Sequence, residues 1–166
     1  MSSVAFVALG TGLAIATVID LKTRRIPNEL TATMVGVGLG LAATGTSGIS
    51  VAASFTGFFL GLLLMMPGFM LGATGAGDVK LMGAVGAIVG PALVVSAFLF
   101  TAIAGGVLAV FVAVRRQRLT ETLARTGQLV TGPGDAPQKI RAATGASRFA
   151  YGPAIAAGTV IATLVA

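Results

Sequence analysis

"SVAASFTGFFLGLLLMMPGFMLG", residues 50–72, runs its whole length without a charged side chain. As a helix rising ~1.5 Å per residue, it would reach across the ~30 Å hydrocarbon core of a bilayer. Lipid offers the backbone no hydrogen-bond partners, so such a run must satisfy its own amides, and a membrane-spanning helix follows. The rest of the chain has the same character. Of its 166 residues 55% are hydrophobic and 10% charged, and the mean hydropathy is +0.97. That leaves too little polar surface for a soluble domain and predicts an all-α integral membrane protein.

Working outward from 50–72, the apolar runs predict six spans in one domain covering 1–166, at about 2–19, 29–45, 50–72, 73–90, 91–114 and 149–166. The fourth is short unless its helix begins near Ala73. The first has no Lys or Arg ahead of it and no clear cleavage site, so it is expected to stay as a span rather than leave as a signal peptide. Glycines at 36–40, "GVGLG", and 57–61, "GFFLG", have the small-xxx-small spacing that lets membrane helices pack closely.

Charge falls between the runs. Lys22, Arg24 and Arg25 occupy the first loop, Lys80 the third, and seven of the eleven basic residues the segment 115–148. The turns near 45–49 and 90–91 carry none. Under the positive-inside rule this alternation places loops one, three and five in the cytoplasm and both termini outside. A net charge of +6 is thereby read as topology and contact with anionic lipid, with no nucleic-acid partner expected. Within 115–148, Leu119, Leu123 and Val130 fall near one helical face among arginines, the pattern of a helix lying on the membrane surface, and "TGPGDAP" reads as a linker.

The chain has no Cys and no His. Disulfides, the usual zinc sites and Cys or His catalysis are excluded, and neither metal nor cofactor is expected. Of five acidic residues, Glu121 and Asp135 lie in the polar segment, which leaves Asp20, Glu29 and Asp78 at the edges of spans. A carboxylate in mid-span costs about 2.5–3.5 kcal/mol, and much less at the interface. Each therefore has a structural reading. Asp20 could pair with Arg24 one turn on, and Asp78 could cap a helix.

Asp20 closes the first span and Asp78 opens the fourth, so both face the same side of the membrane. Two carboxylates a few ångströms apart share a proton. One can then take a proton from water while the other acts as acid toward a carbonyl, chemistry that cuts peptide bonds without metal, Cys, Ser or His. Gly75 and Gly77, lacking Cβ atoms, would let a peptide backbone or a neighbouring helix approach Asp78.

Four stretches carry a family resemblance. "GAGD" (75–78) matches the GxGD signature of intramembrane aspartyl proteases. "DLKTRRIPN" (20–28) resembles the segment after the first catalytic Asp of type IV prepilin peptidases, and "GDVKLMGAVG" (77–86) continues past the second. "YGPAIAAG" (151–158) is similar to the start of that family's last span, with Ala150 where relatives often have Pro.

The resemblance implies a six-helix bundle of the GxGD type in the bacterial inner membrane. Asp20 and Asp78 would be catalytic, and Gly75, Gly77 and Lys80 would support the site. Arg24, Arg25, Pro27 and Asn28 match family positions, as candidates for substrate or lipid contact. Pro27 and Asn28 can also start and cap the second span. The implied activity is removal of the short basic leader of prepilin-like proteins, after a Gly, on the cytoplasmic side. The chain lacks the cysteine-bearing region associated with N-methylation, so methyltransferase activity is not expected and the short, Flp or tight-adherence form is. Two readings compete: a small proton- or cation-coupled transporter using Asp20 and Asp78, whose acids would be expected near the bilayer midplane, and a non-catalytic scaffold.

Overall fold

A computed structural model describes residues 1–115 and 151–166, and every regular element among them is a helix. The helices are α1 (Ser3–Thr23), α2 (Asn28–Ala43), α3 (Val51–Met70), α4 (Ala76–Arg115) and α5 (Gly152–Val165). The expected surface helix around Leu119, Leu123 and Val130 lies outside the described residues. Ser2 and Ser50 cap α1 and α3, their hydroxyls accepting from the amides of Ala5 and Ala53. α2 stops short of its expected limit of 45, with Thr44 as its C-cap and Gly45 at φ 69°.

Among the described residues three stretches are long and apolar enough to cross a membrane: Ser3–Thr23, Val51–Met70 and Ala76–Leu108. Among the described residues α2, with 16 residues, and α5, with 14, are shorter. The molecule is thus an α-helical membrane protein. Large apolar side chains such as Val7, Phe59, Leu63, Ile103 and Val107 stand exposed on its outside, as lipid contact allows.

α4 is broken at Gly90, whose φ of 82° and ψ of 178° only glycine adopts readily, and Pro91 follows. An unbroken helix would carry Gly105 about 40 Å from Asp78. Instead Gly105 packs against Tyr151, which lies within electrostatic reach of Asp78. The chain therefore turns back at Gly90, where the expected fourth and fifth spans meet.

The arm 76–89 is the centre of the bundle. Leu81, Met82, Ala84, Val85 and Ala87 are wholly buried, and a helix hydrophobic all round is a core helix. α3 packs most extensively against α4, running antiparallel to this arm: Gly57 meets the Gly86 carbonyl and Gly61 that of Met82. Ser54 donates to the Ala87 carbonyl at 2.5 Å across the same seam. The 36–40 motif works otherwise than its spacing predicts. Gly36 and Gly40 face open space, while Gly38 between them packs on Ala87.

The glycines therefore separate into two groups. Gly57→Ala should lower stability by about 1–3 kcal/mol through overpacking, and Gly36→Ala should not, because nothing lies within 4 Å of its new methyl. Thermal unfolding in detergent would distinguish them.

Candidate active site

Asp20 lies in the last turn of α1 and Asp78 in the first turn of α4, both buried. The two carboxylates are close enough for the charge on Asp20 to act on Asp78. The fold thus brings together two groups that are 58 positions apart in the chain, at one end of the bundle.

Each carboxylate is held by a glycine amide. Asp78 Oδ2 accepts from the Gly75 N–H at 2.8 Å, the N3-to-N-cap half of a capping box. Its expected structural reading, a helix cap, is therefore real and does not displace the chemical one. Asp20 Oδ2 accepts from the Gly152 N–H at 2.8 Å, a bond between α1 and the start of α5. The expected pairing of Asp20 with Arg24 runs through the backbone alone among the described residues, the Arg24 N–H donating to the Asp20 carbonyl at 2.8 Å.

Sequence reasoning missed Gly152 as a site residue, although "YGP" was visible as a motif. A Cβ there would lie 2.8 Å from Asp20 Oδ2 and 3.1 Å from Asp20 Cβ, so any other residue would oblige Asp20 to shift. Tyr151 joins the site beside it, its ring lodged against Gly105.

The two glycines of "GAGD" have separate functions. Gly75 supplies the amide for Asp78, and Gly77 lies against Ile26 of the α1–α2 loop, which a Cβ would approach to 3.1 Å. Arg24 closes α1 in the left-handed region at φ 53°, a conformation that costs non-glycine residues of order 1–3 kcal/mol. Arg24→Gly should accordingly raise stability by about 1 kcal/mol, read from the thermal midpoint.

Pro27 occupies the N-cap of α2 without a side-chain cap bond. Asn28 does not cap the helix as the sequence predicted. It is the first helical residue, and its Oδ1 accepts from Lys80 Nζ at 2.8 Å. Lys80 follows Asp78 by two positions, about 200° around the helix, so it lies on another flank of α4. Among the described residues no group of three or more carboxylates, histidines or cysteines gathers that could hold a metal.

A family model, that of the type IV leader peptidase family, matches residues 7–110. The chain belongs to the type IV leader peptidase family. The match covers Asp20, Asp78 and both glycines of "GAGD", and stops before Gly152. Searches of curated proteins and of solved structures gave no match. Membership makes this leader peptidase a membrane protease of prepilins with a part in pilus biogenesis.

Proposed function

We propose that the protein is an aspartic endopeptidase that removes the basic leader of a prepilin-like, Flp-type substrate after a glycine. The observation that carries the reading is the pairing of Asp20 and Asp78 at one end of the bundle, each held through one oxygen by a glycine amide. In this reading the pair binds one proton between them and titrates as a unit. The ionised member takes a proton from a water molecule as the water oxygen attacks the scissile carbonyl carbon. The protonated member gives its proton to the carbonyl oxygen. The tetrahedral intermediate then collapses, the C–N bond breaks, and a proton passes to the leaving amine, which becomes the new N-terminus.

The hairpin at Gly90 and the charge alternation support a six-span arrangement with the aspartates at the cytoplasmic side of a bacterial inner membrane and both termini outside. No methyl transfer is assigned. The test is co-expression with a Flp-type prepilin, followed by gel mobility and by mass analysis of the new N-terminus. A leader lost after its glycine is the expected result. An uncleaved prepilin beside correctly inserted protein would remove the substrate assignment, and proton or cation flux in vesicles without cleavage would favour the transporter.

A further inference from the structure

On the flank of α4 turned away from Asp78, a groove of about 710 Å³ runs between α2, α3 and α4, a volume in the range of small-molecule sites. One wall is a stripe of α3, with Phe58, Leu62, Met66 and Phe69 following at helical spacing. Ala32 and Val35 of α2 face it, and Val79 of α4 contributes to the lining. Among the described residues the only charged side chain in the lining is Lys80, at the end of the bundle that carries the aspartates.

The dimensions decide the occupant. From Phe69 to Phe58 the groove descends about 16 Å along α3, close to the ~15 Å of hydrocarbon in one leaflet. A transmembrane helix would need about twice that length and a channel ~10 Å wide. A peptide lying here would also have α4 between it and Asp78. An acyl chain fits the length and the apolar walls, and places its headgroup beside Lys80. That ammonium spends one of its three donors on Asn28 Oδ1 and keeps two for a phosphate.

We propose that this groove is a binding site for one anionic phospholipid of the surrounding leaflet, its acyl chain along the α3 stripe and its phosphate on Lys80. The site is separate from the aspartate pair and does not rest on the peptidase mechanism.

The full chain, purified in detergent and offered dioleoylphosphatidylglycerol or dioleoylphosphatidylcholine, would be followed by native mass spectrometry. Wild type is expected to retain one lipid per chain, with phosphatidylglycerol preferred. Lys80→Gln should lower that preference roughly five-fold, the factor for one lysine at a membrane surface. Ala32→Trp, at an exposed position, should fill the groove and abolish retention of both lipids. Undiminished retention in Ala32→Trp, or an unchanged preference in Lys80→Gln, overturns the proposal. A photoreactive residue at position 62 should cross-link to lipid in membranes, and cross-linking to a prepilin instead would give the groove to the substrate.

Discussion

Asp20→Asn and Asp78→Asn are each expected to lose leader cleavage by on the order of 10³-fold or more while inserting and folding normally. The structure explains why both halves of that result should hold. Each carboxylate accepts one amide hydrogen bond through Oδ2, from Gly152 or Gly75, and an asparagine oxygen can accept the same bond. The scaffold contact survives. What asparagine cannot do is take a proton from water or give one to a carbonyl, and general acid–base catalysis contributes about 10²–10⁴-fold.

In the proposed mechanism the two groups act as one unit, so the double variant should be about as inactive as either single one. Cleavage would be followed against a fixed prepilin with membrane insertion verified for each variant. Normal cleavage by either would leave that aspartate as a helix-end residue and end the two-carboxylate mechanism.

The second large effect comes from a methyl group. Gly152→Ala would put a Cβ 2.8 Å from Asp20 Oδ2 and 3.1 Å from Asp20 Cβ. Oδ2 ends its side chain and can turn aside, but Asp20 Cβ is fixed to the backbone of α1, so either the carboxylate rotates or the start of α5 and the end of α1 separate. Either movement weakens the amide bond to Asp20. A displacement approaching 1 Å at a reacting group can cost about 10²-fold in rate, and the loss is expected in kcat more than in KM. Gly36→Ala, with nothing within 4 Å, is the matched control and should cleave as wild type. Equal activity in both would show that the Gly152 contact does not set the position of Asp20.

Much of this arrangement was legible in the sequence because lipid makes hydropathy a strict guide. The run 50–72 yields α3, and Asp20 and Asp78 stand out as acids at span edges. Other features depend on contacts that no local pattern encodes. Gly38, rather than Gly36 or Gly40, meets α4, because helix rotation decides which glycine faces the seam. Asn28 looked like a cap because caps are read from near neighbours, whereas its partner, Lys80, is 52 positions away. Gly152 carried a visible motif without a visible purpose, since its partner lies on the first helix.

The two aspartates also differ in when they can be ready. Asp78 is fastened by an amide three residues upstream, so its geometry is complete as soon as the start of α4 has formed. Asp20 waits for a donor 132 residues downstream. A nascent chain that has left the ribosome as far as position 110 already contains both acids and the whole family-matched stretch, and still lacks the group that fixes one of them. In the two-aspartate reading, proteolytic competence would wait until α5 has been made, and a molecule halted before it should be harmless to the proteins around it.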